Sequence, residues 1–209
     1  ELAKMPELKR FPAVLGRLKN LEILQLLGAD ARFDGVNRVL PEGLFTNWTK
    51  LRSLNLRNCW FSGPIPNGIS VMSNIEELIL SGNNFPALPA ELAGLKNLKL
   101  VELANMPELK RFPAVLGRLK NLESLVLRPA PARFDGVLPE GLFTNWTKLR
   151  SLDLSNCGLS GPIPNGISVM SDLEDLILSG NNFTALPAEL GGLKNLKRVE
   201  LENTPELKR

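Results

Sequence analysis

The sequence predicts an α/β solenoid: a curved stack of short units with a parallel sheet on the inner side and short helices or 3₁₀ turns on the outer side. Three observations predict it. The 209-residue chain is a near-duplication, with residues 4–101 reading almost the same as residues 105–199 and Pro205-Glu-Leu-Lys-Arg starting the pattern a third time. Self-similarity of this kind marks stacked-repeat architectures. A finer beat runs inside each copy. The run L-x-x-L-x-L, with Ile or Val in some slots, begins at Leu21, Leu51, Ile75 and Leu98 and again at Leu122, Leu149, Leu173 and Leu196, at spacings of 23 to 30 residues. Within each run the apolar residues alternate, as a strand buried on one face requires. Such a unit cannot cover its own apolar face, so neighbours stack and bury a continuous core.

Each element follows from a segment of the unit. The eight runs are the strands, and two of them extend to L-x-x-L-x-L-x-x-N/C: Leu149-Arg-Ser-Leu-Asp-Leu-Ser-Asn-Cys and Leu173-Glu-Asp-Leu-Ile-Leu-Ser-Gly-Asn. On these matches the chain resembles the leucine-rich-repeat family over essentially its whole length. The resemblance implies a right-handed horseshoe with a concave parallel sheet and short helices or 3₁₀ turns on the convex side. It would be one solenoid of about eight repeats over residues 1–209, built as two four-repeat halves. Two repeat flavours are mixed. Phe61-Ser-Gly-Pro-Ile-Pro-Asn-Gly-Ile and Leu159-Ser-Gly-Pro-Ile-Pro-Asn-Gly-Ile resemble the plant-type L-x-G-x-I-P repeat, while Leu88-Pro-Ala-Glu-Leu and Leu186-Pro-Ala-Glu-Leu resemble shorter repeats of intracellular scaffolds. Ala31-Arg-Phe-Asp-Gly and Ala132-Arg-Phe-Asp-Gly are expected as small loop excursions, with Asn37-Arg-Val inserted in the first copy alone. Two phenylalanine series, Phe11, Phe33, Phe45, Phe85 and Phe112, Phe134, Phe143, Phe183, recur in matching places and are expected to fill the wide side of the stack.

Composition narrows the function. The net charge of +3 comes from mixed signs without a long basic run, which excludes a nucleic-acid partner on this pattern. No apolar stretch reaches the roughly 20 residues of a membrane span, so no membrane insertion is expected. Cys59 and Cys157 occupy equivalent slots four repeats apart, roughly 19 Å by strand spacing, too far for a disulfide. Both are expected as buried thiols, which favours a reducing compartment. Three N-x-T sequons, at Asn47, Asn145 and Asn182, fit secretion instead, so the compartment stays open. Histidine and tyrosine are absent, and neither C-x-x-C nor a phosphate-binding glycine motif occurs. No cofactor or metal site is expected, and the chain reads as a non-enzyme.

Two charge and surface patterns complete the reading. The second position of the runs alternates strictly in sign: Glu22, Arg52, Glu76, Lys99, Glu123, Arg150, Glu174, Lys197. Opposite charges on neighbouring strands set register, so this is a structural ladder. The outward third, fifth and seventh positions differ between the copies far more than the rest of the unit. Ile23, Gln25, Leu27, Asn55, Arg57, Glu77, Leu100 and Ala104 stand where the second copy has Ser124, Val126, Arg128, Asp153, Ser155, Asp175, Arg198 and Glu202. Ser53, Ile79, Ser81 and Glu102 match Ser151, Ile177, Ser179 and Glu200. Trp60, just past its strand, faces Gly158 in the other copy and so is not required for folding. By contrast Pro41–Leu54, with Glu42, Thr46, Asn47 and Lys50, matches Pro139–Leu152 without a change, which argues that the inner face is diversified rather than merely drifting.

The expected contacts with a protein or peptide ligand are therefore Ile23, Gln25, Leu27, Asn55, Arg57, Trp60, Glu77, Ile79 and Leu100 in the first half. In the second half they are Val126, Arg128, Asp153, Asp175, Ile177, Arg198 and Glu200. The first set reads as an apolar strip beside Arg57, the second as a charged strip. Neither terminus reads as a polar cap. The alternative reading is therefore a fragmentary or engineered repeat module, stacking head to tail on copies of itself.

Overall fold

The structure, a computed structural model, describes residues 11–26, 39–129, 134 and 136–208. Leu27, Phe33 and the 31–35 segment lie outside them, as does most of the matching 132–136 segment. Eight strands form one parallel sheet in chain order: β1 (Ile23–Gln25), β2 (Ser53–Asn55), β3 (Glu77–Ile79), β4 (Leu100–Ala104), β5 (Ser124–Arg128), β7 (Ser151–Asp153), β9 (Asp175–Ile177) and β11 (Arg198–Glu200). The register runs straight across it. Leu24, Leu54, Leu78, Val101, Leu125, Leu152 and Leu176 are successive Cα partners, and none is more than 5% exposed. Val199 holds this slot in the last strand and is 42% exposed. This is the leucine-rich-repeat solenoid the beat predicts.

The turn that leaves each strand is fixed by backbone sterics. Seven residues after the first leucine slot stands Asn58, Gly82, Asn105, Asn156, Gly180 or Asn203, each with φ between 52° and 73°. Asn and Gly are the residues that enter the left-handed region at low cost. At Gly82 there is a second reason: an added Cβ would lie 2.1 Å from Asn58 Oδ1 in the preceding repeat.

One residue further on is the N/C slot. The Asn83 side-chain amide donates to the Leu56 and Leu80 carbonyls at 2.8 Å, and its Oδ1 accepts from the Phe61 N–H. Asn181 does the same for Leu154, Leu178 and Leu159. Cys59 Sγ donates to Leu26 O at 3.2 Å and Cys157 Sγ to Leu127 O at 2.9 Å, so both thiols are buried in this slot as expected. Burial, with Asp153 adding to it, pushes the Cys157 thiol well above its ordinary range.

Among the described residues the outer side carries seven short 3₁₀ helices and no α-helix: Ala13–Arg17, Asn67–Val71, Ala90–Gly94, Ala114–Arg118, Leu142–Asn145, Asn165–Val169 and Ala188–Gly192. Proline precedes six of them. Its fixed φ starts the turn, and segments this short close i→i+3 bonds rather than a longer α ladder. The phenylalanines fill the space between. Phe45, Phe61, Phe85, Phe134, Phe143 and Phe183 are at most 2% exposed, and Phe11 contacts Phe61 with ring centroids 5.7 Å apart.

A second, three-stranded parallel sheet was not expected. It consists of β6 (Gly136–Val137), β8 (Leu159–Pro162) and β10 (Asn182–Ala185), in the order β10–β8–β6. It arises because the segment that follows the N/C slot is extended and stacks on its neighbours, in the plant-type repeat and in the two beside it. Among the described residues of the first half the same segments make isolated bridges, Val39 to Ser62 and Ser62 to Asn84. The two halves differ at this place by Pro86 for Thr184. Thr184 is the bulged residue of β10, skipped in its pairing with β8, and its carbonyl accepts the Lys208 N–H from the following repeat at 3.2 Å.

The unchanged outer segment has a structural cause. Asn47 Nδ2 donates to Gly16 O at 2.8 Å and Trp48 Nε1 to Leu15 O at 3.0 Å, with Asn145 and Trp146 repeating both bonds to Gly117 O and Leu116 O. Thr46 Oγ1 donates to Gly43 O, and Lys50 Nζ to Asn20 Oδ1. These residues are pinned, so their constancy does not separate diversification from drift as the sequence comparison expected. The sequon amides of Asn47 and Asn145 are also engaged, whereas Asn182 is exposed.

Replacing Asn181 with Ala strands the Leu154 and Leu178 carbonyls and the Leu159 N–H in the core. The expected loss is about 3 kcal/mol, given about 1–3 kcal/mol per orphaned buried group. Urea denaturation measures it, and a loss under 1 kcal/mol would contradict this role.

Candidate functional site on the inner sheet

Alternation along the strands sends the residues flanking each buried leucine onto the inner face. The registers arrange them in rows. The third-position row reads Ile23, Ser53, Glu77, Leu100, Ser124, Ser151, Asp175, Arg198, and the fifth-position row Gln25, Asn55, Ile79, Glu102, Val126, Asp153, Ile177, Glu200. Ala104 pairs with Arg128 in the seventh-position row. The described candidates from β1 to β11 thus share one face, and Leu27 lies outside the described residues.

The expected apolar strip is not continuous. Ile23, 60% exposed, stands on β1 beside Ser53, three strands from Leu100. Ile79 and Val126 flank Glu102 on either side, with Leu100 two residues earlier on the same strand as Glu102. The apolar residues therefore gather as an island on β3, β4 and β5, across the boundary between the halves. The cause is the two-residue period, which puts Leu100 and Ile79 in different rows.

Charges on the face are organised in compensated sets. Arg57 reaches over Ser81 to pair with Glu102, two repeats away, and Ser81 Oγ donates to the same carboxylate at 2.7 Å. In the second copy Ser155 replaces Arg57 and Arg198 replaces Leu100. There Glu200, the counterpart of Glu102, pairs with Arg198. Each copy thus supplies its glutamate with one arginine, from a different strand position. A second exchange is coupled in the same way: Arg128 stands 3.4 Å from Asp153, where the first copy has the uncharged pair Leu27 and Asn55.

Asp153 departs from the expectation of an exposed contact. It is 7% exposed, and its Oδ1 accepts from the Ser155 N–H at 2.9 Å and the Ser155 hydroxyl at 2.7 Å. Its role is to hold Arg128. Asn55 likewise turns inward on its own strand end, accepting the Arg57 N–H at 3.0 Å. Glu102 was not among the candidates, although its unchanged counterpart Glu200 was. The reciprocal exchange of Arg57/Leu100 for Ser155/Arg198 around it is the signal that marks it.

Trp60 stands at the rim where the strands end. It is 49% exposed and has φ of 57°, in the slot where Gly158 has φ of 70°. An aromatic residue there is strained by about 1 kcal/mol or more. At the opposite rim the alternating ladder closes on two carboxylates. Glu76 holds Arg52 at 2.6 Å and Lys99 at 2.8 Å, and Glu174 holds Arg150 and Lys197. Hydrogen bonds from Lys99 and then Arg52 keep the Glu76 carboxyl below its usual range, and Lys197 does so for Glu174. Among the described residues no group of His, Cys, Asp or Glu could hold a metal ion, and no helix is long and apolar enough to cross a membrane.

A stacked parallel sheet with an open, side-chain-rich inner face defines a repeat scaffold for protein interaction. A family profile described as Leucine Rich Repeat matches residues 50–72, 148–170 and 172–193. The TMV resistance protein N of Nicotiana glutinosa is 30% identical over 99% of this chain, and the disease resistance-like protein DSC1 of Arabidopsis thaliana is 29% identical over 91%. The chain spans 18% and 15% of those two proteins, under a fifth of their length. Among solved structures, the Arabidopsis receptor kinase HAESA in complex with the peptide hormone IDA and the co-receptor SERK1 superposes with a TM-score of 0.79. Its identity is 30%, over 93% of this chain and 32% of that one. A leucine-rich-repeat protein of Leptospira interrogans gives 0.68 at 27% identity, over 92% of this chain and 52% of that one. The chain belongs to the leucine-rich-repeat superfamily.

Two outcomes follow from this geometry. Trp60→Gly relieves the strained backbone and should leave unfolding free energy within about 1 kcal/mol of the parent, against roughly 3–5 kcal/mol for truncating a buried tryptophan. Thermal and urea unfolding measure it, and a loss of that larger size would make Trp60 a packing residue. In a double-mutant cycle, Arg57→Ser and Leu100→Arg together should be less damaging than their separate effects add to, by about 0.5 kcal/mol. Strict additivity would show that the two sites do not share Glu102.

Proposed function

We propose that the inner sheet recognises an extended peptide or protein segment and that the chain acts by binding rather than catalysis. The observation that carries this reading is Trp60. It is an exposed tryptophan in a left-handed conformation, and the other copy fills the same slot with glycine. Strain retained where folding does not need it points to function, and tryptophan is a frequent interface anchor. The island of Ile79, Leu100 and Val126 supports it, since all three are half-buried and adjacent on the inner face. So does the similarity to HAESA, which is seen in complex with a peptide hormone. The non-catalytic part rests on chemistry: the sequence has no histidine, both thiols are buried, and the carboxylates of the face are spread along an open sheet.

Selection of a displayed random-peptide library on the immobilised chain tests the reading. Binders should lose at least tenfold in affinity on Leu100→Arg, Ile79→Arg or Trp60→Gly, and nothing on Glu189→Lys on the outer side. Binders indifferent to the inner variants would overturn it. A second reading, stacking of copies end to end, rests on the 42% exposure of Val199 in the last strand. A monodisperse monomer by light scattering at high concentration removes that reading.

A further inference from the structure

We propose that the inner sheet takes a basic segment, one with two cationic side chains about six residues apart, lying across the strands. This rests on the inner-face reading above and names the chemistry of its partner. The whole chain carries +3, but the third, fifth and seventh positions invert that sign. They hold six carboxylates, on Glu77, Glu102, Asp153, Asp175, Glu200 and Glu202, against three guanidiniums, on Arg57, Arg128 and Arg198. Internal pairing then sorts them. Arg57 neutralises Glu102, Arg128 neutralises Asp153 and Arg198 neutralises Glu200. Among the described residues Glu77, Asp175 and Glu202 enter no ion pair, although Asp175 lies in the field of Arg198. Glu77 and Glu202 are exposed and Asp175 is half-buried. The charge left for a partner is negative.

Position matters as much as sign. Glu77 and Asp175 occupy the same slot in the two halves, so the exchange between copies alters the length of this side chain and keeps its charge. They stand in one row on β3 and β9, four strand steps apart, with Leu100, Ser124 and Ser151 between them. Parallel strands about 4.8 Å apart make that span about 19 Å, which an extended chain rising about 3.3 Å per residue covers in about six residues. An even separation puts both cations on the same side of the segment. The side chain that follows the first cation on that side falls over Leu100 and the apolar island. The serines leave room beneath the rest. Charge complementarity of this kind governs partner choice and encounter more than raw affinity.

The test uses three fluorescein-labelled, end-blocked nonapeptides of serine with one leucine. One has lysines at positions 2 and 8, one has glutamates there, and one has lysines at positions 2 and 5. Fluorescence anisotropy on the full chain at low salt should show the first binding about tenfold tighter than the second and about threefold tighter than the third. Glu77→Gln with Asp175→Asn should shrink the tenfold preference to about twofold, as should 0.5 M salt. Equal or tighter binding of the glutamate peptide overturns the proposal, as does a preference that survives the double variant or no binding by any of the three. Library binders that need Leu100 but are neutral or acidic would sink the charge inference and leave inner-face recognition standing. A library without inner-face binders sinks both.

Discussion

No repeat of this chain can satisfy its own backbone. Each strand offers its N–H and C=O groups sideways, and the turn after it points further groups into the core, where water is absent. The next repeat supplies the partners. The Asn58 N–H reaches the Ser81 carbonyl, Gly82 reaches Ala104, and Asn105 reaches Arg128. The side chains of Asn83, Asn181, Cys59 and Cys157 close what the ladder leaves open. The cost of an unmade buried hydrogen bond fixes the period, the register and the left-handed turn together. Leucine burial then follows, because strands in this register stack their apolar slots into one row. The inner face is what this constraint leaves over: side chains that are held in place but not specified.

The legibility of the sequence follows the same division. Residues under the backbone constraint announce themselves by repetition, so the strands, the leucine rows, the buried thiols and the phenylalanine stack could all be read from the beat. The second sheet could not. Its strands are two to four residues long, read Gly-Val, Leu-Ser-Gly-Pro and Asn-Phe-Thr-Ala, and share no alternation to betray them. The outer Asn47-Trp48 pair was legible as constant but not as bonded, because its acceptors are backbone carbonyls about thirty residues away. On the inner face the sequence shows which positions vary. It does not show that Arg57 and Arg198 serve equivalent glutamates from different strands, since that depends on side-chain reach across two repeats.

The internal duplication works as a natural variant pair. Two copies of one scaffold, folded side by side, carry different solutions to the same electrostatic problem. Where an arginine appears, a carboxylate is at hand, and where the arginine leaves, another replaces it or the acid becomes an amide. Several exchanges that look drastic one at a time, such as Leu27 for Arg128 or Leu100 for Arg198, are half of a pair. What stands outside this compensation is small: an apolar island, a strained tryptophan and a few unmatched carboxylates.

The second sheet ties the described parts of the two halves unequally. The second half is laced along two edges, by the main sheet and by β6, β8 and β10, whereas the described residues of the first show the main sheet and scattered bridges. A beam tied along two lines resists torsion, and one tied along a single line yields. Local opening is easiest where few backbone bonds must break at once. The paired β6, β8 and β10 add backbone bonds that must break together before that edge of the second half opens.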